Sequence, residues 1–187
     1  MSGPLSDTDL LGRIAAKDQT ALRTLFSRHH ATVYRFLLRR LRVEATAEDL
    51  TNEVFLEVWR NAGKFEGRSA VSTWMLTIAR NRAASLLRKR SEDGLEDGEA
   101  EAVADESDDP EVALQKMDKA ARIRRCMERL SAEHREIVDL VYYHELSVSE
   151  VAAVVGIPEA TVKTRMFYAR KKLSELLAEA GVDRGWP

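Results

Sequence analysis

The stretch from Leu146 to Leu177, LSVSEVAAVVGIPEATVKTRMFYARKKLSELL, constrains the fold of this chain more than any other. Ser147 followed three residues later by Glu150 is a capping box, which satisfies orphan amides at a helix start and sets Val151, Ala152 and Val155 on one apolar face. Gly156 ends that helix, and the turn Gly156-Ile157 leads to Pro158. Proline is tolerated in a helix's first turn because its missing N–H would have no intrahelical partner there. In the second helix Val162, Met166, Ala169, Leu173 and Leu176 recur at spacings of three and four, so they face a core. The opposite face carries Thr161, Lys163, Thr164, Arg165, Tyr168, Lys171 and Lys172. Its cations suit phosphates, and its hydroxyls and aromatic ring can reach base edges in a major groove. The pattern is a helix-turn-helix. Such a face either contacts DNA or is the solvated basic side of a helix closing a small bundle, since many helical hairpins satisfy the same loose template.

At 187 residues the chain accommodates one large domain or two small ones, and its charge distribution favours two. Residues 1 to 90 hold 16 basic and 9 acidic side chains, a charge of +7; residues 91 to 117 hold 1 and 11, a charge of −10; the remainder carries +1. Two modules on an acidic tether fit these numbers, as does one protein with an acidic loop. Apolar runs such as Val151 to Val155 fall far short of the roughly 20 residues needed to span a bilayer, so no membrane insertion is expected. The start MSGPLSDTDLLGR lacks a basic-then-apolar export layout, which points to the cytoplasm. The single cysteine, Cys126, cannot form an internal disulfide; its spacing with Ile123, Met127 and Leu130 makes it a small apolar residue on a helix face.

Taken in order, Ser6 to Asp9 supply caps for a helix bearing Leu10, Leu11 and Ile14, and Asp18 to Thr20 mark a break. A long helix follows, with Leu22, Leu25, Phe26, Val33, Phe36, Leu37 and Leu41 in helical register. His29 and His30 are adjacent and lack the i, i+4 spacing of a helical metal pair, so they read as structural or solvated. In AEDLTNEVFLEVW, Leu50, Val54, Phe55 and Val58 pack inward while Asp49, Asn52, Glu53 and Leu56 share another face, with no cation beside them in sequence. Carboxylates, an amide and an outward leucine suit a protein-docking surface, and equally a solvated helix face. Gly63 and Gly67 bracket Lys64, Phe65 and Glu66 in a loop, after which Ser69 or Ser72 caps a helix. That helix buries Trp74, Met75, Ile78 and Leu86, and carries five cations and no acid from Arg80 to Arg90, including Arg82 and Arg88 beside Asn81. Beside an aromatic-bearing loop, this surface suits a nucleic-acid backbone with stacking or capture of an unpaired base, or is a solvated basic face.

The segment SEDGLEDGEAEAVADESDDPEVALQKM has too few large apolar groups to offset the entropy of ordering, and reads as a linker to about Pro110. From Pro110, Leu114, Met117 and Ala121, then Ile123, Met127 and Leu130, give one helix; Ser131 caps another bearing Ile137, Val138 and Val141. With the helix-turn-helix these form a four-helix module. The expected fold is all-α: two small helical domains, 1–92 and 116–187, joined by an acidic flexible linker, 93–115. Trp186 falls after the helix stop at Gly181.

These residues resemble the extracytoplasmic function sigma factors of bacterial RNA polymerase, the two-domain branch of the sigma-70 class. AEDLTNEVFLEVWR, KFEGRS, STWMLTIARNRA and LLRKR resemble region two; LSAEHREIVDL, LSVSEVAAVVGIP and TVKTRMFYARKKL resemble region four. The resemblance implies that Asp49, Asn52, Glu53 and Leu56 dock on the clamp helices of the polymerase's largest subunit. Asn52 stands where the family usually has Gln, a shorter amide with the same donor and acceptor. It further implies that Lys64, Phe65, Glu66, Arg68 and Ser69, with Arg80, Asn81, Arg82 and Arg88, read the promoter's minus-ten element and capture a flipped base of the non-template strand. Extruding a base costs a few kcal/mol, which a fitted pocket and stacking offset without ATP. In region four, Lys163 and Arg165 resemble phosphate contacts at the minus-thirty-five element; Thr164, Phe167 and Tyr168 match base-reading positions, with Thr161 and Lys171 on the same face. Ala160 stands where Gly is frequent and Tyr168 where a cation is frequent, so promoter specificity is this chain's own.

By this resemblance the partners are polymerase core, promoter DNA as duplex and as non-template single strand, and an anti-sigma factor that covers the polymerase-binding faces. The chain would be cytoplasmic and nucleoid-associated when bound to polymerase, with no cofactor, metal or catalytic residue. A stand-alone helix-turn-helix regulator is the alternative, but it leaves the acidic-amide face and the aromatic glycine loop without a purpose. A nuclease or metal hydrolase fits least, because the four histidines lack ligand spacing and no glycine-rich phosphate loop is present.

Overall fold

The computed structural model describes residues 5–92 and 110–182, which are helical with turns and no strand. Most of the expected linker, residues 93–109, and Trp186 lie outside the described residues. The chain divides into two compact units, one holding α1 to α4 and the other holding α5, α6, α8 and the opening of α7.

In the first unit α1 spans Asp7–Ala15, α2 Gln19–Leu41, α3 Glu44–Asn61 and α4 Val71–Glu92. The helix starts are written locally. Ser6 and Asp9 form a capping box on α1, and the Asp18 carboxylate accepts from the Thr20 and Ala21 amides at 2.8 and 3.1 Å to open α2. Helix α2 packs against α1, α3 and α4, and so forms the middle of the unit. Leu10, Leu11, Ile14, Leu25, Val33, Phe36, Leu37, Val54, Val58, Met75 and Leu76 are buried there. Some residues expected inside sit only half-buried: Leu22, Phe26, Trp74 and Leu86. Phe26 instead lies over Phe55, with ring centroids 4.6 Å apart.

Both adjacent histidines have structural partners. His29 Nε2 lies 2.6 Å from Asp7 Oδ2, while His30 packs beside Phe26 and Tyr34 with Nε2 3.5 Å from Glu48. Arg28 joins the first arrangement, its Nη1 donating to both Asp7 Oδ1 and the Leu5 carbonyl at 2.8 Å. The contacts tie α1 to α2 across a gap in sequence of 21 and 22 residues.

In the second unit α5 spans Pro110–Glu128, α6 Ala132–Val138 and α8 Glu159–Glu179, and α7, Val148–Val155, belongs to it through Ala152. Pro110 occupies a first-turn position, where its missing N–H costs nothing. Ser131 caps α6, accepting from the His134 amide. Helix α8 packs on α5 and α6 around a core of Cys126, Leu130, Val138, Ala169, Leu173, Leu176 and Leu177. Cys126 behaves as a small core residue: it is 3% exposed and its Sγ donates to the Leu176 carbonyl at 3.4 Å.

Four local expectations are corrected. Helix α6 stops at Val138, and a π-helical turn, Asp139–Tyr143, takes the chain onward, leaving Val141 half-buried. The wider turn adds a residue per hydrogen-bonded loop, so an apolar spacing that continued the α-helical stripe is rotated away. In α7 the buried set is Val151, Val154 and Val155, with Ala152 half-exposed, and in α8 Met166 is half-buried. Pro158 is the N-cap of α8 and not its first helical residue.

Among the described residues no helix is long and apolar enough to cross a membrane, and no group of three or more His, Cys, Asp or Glu could hold a metal ion. Partial burial works against the Asp7 carboxylate, but hydrogen bonds from Arg28 and His29 outweigh it and hold its pKa below the ordinary 3.8. A depressed carboxylate pKa gives stability that is present above 3.8 and lost as pH falls through the native value. Asp7→Asn is therefore expected to lower the denaturant midpoint at pH 7, and the gap to the unsubstituted protein closes on acidification below 3.8. A pH-independent gap in a urea titration series would contradict this account.

Candidate functional site

On α3 the helical repeat settles which side chains are available to a partner. Leu50, Thr51, Val54, Phe55 and Val58 are buried, so Asp49, Asn52, Glu53 and Leu56 are turned outward, Leu56 being 52% exposed. Leu56 is thus left half in water on a helix whose Leu50, Val54, Phe55 and Val58 are buried. The absence of a cation in the local sequence does not extend to the fold, because α4 supplies one. Arg82 Nε donates to Glu57 Oε2 at 2.8 Å, Nη2 reaches the same oxygen, and Nη1 lies 3.8 Å from Glu53 Oε2. Glu57 was absent from the sequence-derived set. Its signal was present, since Asp49, Glu53 and Glu57 form an i, i+4, i+8 row of carboxylates.

Helix α3 runs into a 3₁₀ turn, Ala62–Lys64, against which α1 packs. Lys17, at the end of α1, donates from Nζ to the Trp59 carbonyl at 3.2 Å and lies 5.1 Å from the centre of the Trp59 ring. These contacts fix the base of the loop that follows. Phe65 is half-buried against Trp74, with centroids 5.4 Å apart, whereas Lys64, Glu66 and Arg68 are exposed. Glu66 and Arg68 form an ion pair beside Gly67, whose φ of 70° is the left-handed conformation that glycine adopts without a Cβ penalty. The Ser69 hydroxyl donates to the Ala70 carbonyl, and α4 starts at Val71 with Ser72 inside it.

Along α4, Asn81, Arg82 and Arg88 are exposed and Arg80 is half-buried. A cleft of about 210 Å³ is lined by Glu57, Ile78, Asn81, Arg82 and Ser85. The first unit thus gathers the α3 face, the aromatic loop and the α4 cations on neighbouring elements, with Arg82 of α4 paired to Glu53 and Glu57 of α3.

In the second unit the helix-turn-helix forms as its sequence dictates. Ser147 and Glu150 make the capping box on α7, Gly156 closes it with φ 73°, and α8 follows Pro158. On α8, Lys163, Thr164, Phe167, Tyr168 and Lys171 are exposed; Thr161 and Arg165 are half-buried. The Arg165 guanidinium is 3.1 Å from Glu133 of α6, so a phosphate must compete with that pair. Thr164 Oγ1 donates to the Ala160 carbonyl at 3.0 Å, which orients the hydroxyl and leaves its lone pairs accessible. Phe167 and Tyr168 are 66% and 55% exposed and pack edge to face at 5.4 Å. Two such rings in water on a helix with a fully packed inner face have no role in the core.

Sigma-70 region 2 matches residues 25–92, and Sigma-70, region 4 matches residues 120–173. Over 184 residues the chain is 32% identical to the ECF RNA polymerase sigma factor SigK of Mycobacterium tuberculosis (strain H37Rv), covering 95% of this chain and 98% of that one. A SigK of Mycobacterium sp. (strain KMS) is 33% identical over 173 residues, 87% of this chain and 88% of the relative. The fold is also that of the sigma factor RpoE of Bartonella quintana, solved with the anti-sigma factor NepR, at a TM-score of 0.71 and 25% identity over 87% of this chain and 98% of that one. CnrH, solved with the cytosolic domain of CnrY, shares the fold at a TM-score of 0.70 with 23% identity over 92% and 97% of the two chains. A two-unit helical protein with these regions in this order is of the sigma-70 class. The chain belongs to the extracytoplasmic function sigma factors of bacterial RNA polymerase. It is an alternative sigma factor, which directs polymerase core to its promoters.

If the exposed rings serve a partner and not the fold, removing them leaves stability intact. Phe167→Ala and Tyr168→Ala are expected to change unfolding free energy by no more than about 0.5 kcal/mol while weakening binding of promoter duplex. A loss of several kcal/mol in chemical denaturation would assign them to packing instead.

Proposed function

We propose that the work of this sigma factor is divided among three faces. Asp49, Asn52, Glu53 and Leu56 dock on polymerase core. Lys64, Phe65, Glu66, Arg68 and Ser69, with Arg80, Asn81, Arg82 and Arg88, engage the minus-ten element and hold an unpaired base of the non-template strand. Thr161, Lys163, Thr164, Arg165, Phe167, Tyr168 and Lys171 engage duplex DNA at minus-thirty-five. Residues 1–92 form the first functional domain, 93–115 the acidic tether and 116–187 the second. The chain catalyses no reaction of its own, acts in the cytoplasm and joins the nucleoid with polymerase. An anti-sigma factor holds it by covering its polymerase-binding faces, a reading supported by its similarity to RpoE of Bartonella quintana, which was solved with the anti-sigma factor NepR.

The observation that carries this division is the outward face of α3. A half-exposed leucine flanked by carboxylates and an amide belongs to the same unit as the cationic α4 and the aromatic loop. A regulator that binds DNA alone would need the cations but not that face. Sequestering both units on one polymerase also supplies the distance between the two promoter elements, which neither unit measures by itself.

The decisive assay adds the chain to sigma-free core polymerase with a genomic promoter library and reads promoter-specific initiation. Within it, Asn52→Ala with Glu53→Ala is expected to weaken core binding by about tenfold or more, as removal of central interface contacts does. Undiminished core binding by that double variant would displace the docking face. In the second domain, Lys163→Ala is expected to weaken binding across all sequences and to reduce the salt slope by about 1, whereas Thr164→Ala changes preference at one base position. Uniform loss for both variants would argue against base reading by Thr164.

A further inference from the structure

The ion pair between α3 and α4 joins a residue expected to touch DNA to the face expected to touch polymerase. All three guanidinium nitrogens of Arg82 point at carboxylates: Nε and Nη2 at Glu57 Oε2, and Nη1 at Glu53 Oε2, 3.8 Å away. With Nε and Nη2 donating to Glu57 and Nη1 within ion-pair range of Glu53, the guanidinium has its charge compensated and one edge of its fork committed, so a phosphate must displace the Glu57 carboxylate to use that edge. The neighbouring Asn81 and Arg88 are also exposed on α4, and Asn81 lines the cleft that Glu57 and Arg82 share.

We propose that Glu57 is a positioning residue that withholds Arg82 from DNA in the free protein, with Glu53 as the shared element through which polymerase docking loosens the arrangement. This inference rests on the assignment of α4 to the minus-ten strand and of Glu53 to polymerase. Glu53 and Glu57 are one helical turn apart, and Arg82 lowers the repulsion between them. When a cationic surface of the polymerase takes Glu53, Arg82 loses one of its two carboxylates and its exchange onto a phosphate becomes easier. By linkage the effect is reciprocal: a strand that captures Arg82 frees Glu53 for polymerase. The pair is solvent-exposed, so the effect is a modest bias and not a lock.

The test uses the full-length chain and a labelled mixed-sequence single-stranded DNA of about 16 nucleotides, read by fluorescence anisotropy across a salt series. Glu57→Gln is expected to tighten binding by about two- to fivefold and to steepen the salt slope by about 0.7, the increment for one more phosphate contact on a single strand. The same substitution in an Arg82→Gln background is expected to do nothing, because Glu57 acts through Arg82. An equal gain in both backgrounds would mean that removing a negative charge is the whole effect and would overturn the proposal, as would weaker binding by Glu57→Gln. Initiation by the unsubstituted chain with core polymerase is measured in parallel. If initiation is present but the Arg82-dependent gain is absent, the inference fails alone; if initiation is absent, the underlying assignment fails with it.

Discussion

The surface of the first unit depends on the burial of one side of α2. Leu25, Val33, Phe36, Leu37 and Leu41 are almost fully removed from water, and they meet residues from α1, α3 and α4. Each partner helix must turn its own apolar stripe toward α2, which leaves its remaining face no freedom of orientation. For α3 that remaining face is Asp49, Asn52, Glu53 and Leu56; for α4 it includes Asn81, Arg82 and Arg88. The side chains assigned to polymerase and DNA are therefore positioned by a hydrophobic constraint that none of them takes part in. Core packing fixes their directions to within a rotamer, because interiors are dense and tolerate little sliding.

The second unit applies the same logic with a different outcome. Helix α8 buries Val162, Ala169, Leu173, Leu176 and Leu177, and this commits Phe167 and Tyr168 to solvent. Exposing two aromatic rings forgoes the burial that would favour folding, at roughly 25 cal/mol per Å² of apolar surface, so the rings contribute little to the stability of the unit. The rings lie between Lys163 and Lys171, so in the proposed function apolar contact and phosphate attraction share one helix face. Affinity from the cations falls with salt, whereas ring contacts with base edges do not carry that dependence.

Charge is handled unevenly across the two units. Arg13 with Asp18, Arg28 with Asp7, Arg82 with Glu57 and Arg165 with Glu133 are ion-paired. The first two hold α1 and its junction with α2 in place and serve the fold. The last two involve cations that the proposed function gives to DNA, where a phosphate would have to compete with the carboxylate. The count of 16 basic side chains in residues 1 to 90 thus overstates the cations presented to a nucleic acid.

Much of the architecture was legible in the residues because helix caps and helical periodicity are local. Ser6, Asp18, Ser131 and Ser147 each cap the helix that their position announces, and Leu10, Leu11 and Ile14 or Leu173 and Leu176 are buried as their spacing requires. The outward direction of Asp49, Asn52, Glu53 and Leu56 follows from the same repeat. Less legible were Val141, displaced by a π-helical turn that no apolar pattern encodes, and Trp74, whose ring lies against Phe65 and stays half in water. The pairing of Arg82 with Glu57 spans 25 positions. It exists only because α3 and α4 pack side by side, and the sequence contains the two charges without the distance between them. By itself the sequence determined which face of each helix is apolar and which residues stand opposite it, since that depends on a 3.6-residue repeat. Tertiary structure decided which of the outward charges are already spoken for, because electrostatic pairing depends on interhelical separation, and that is set by the core.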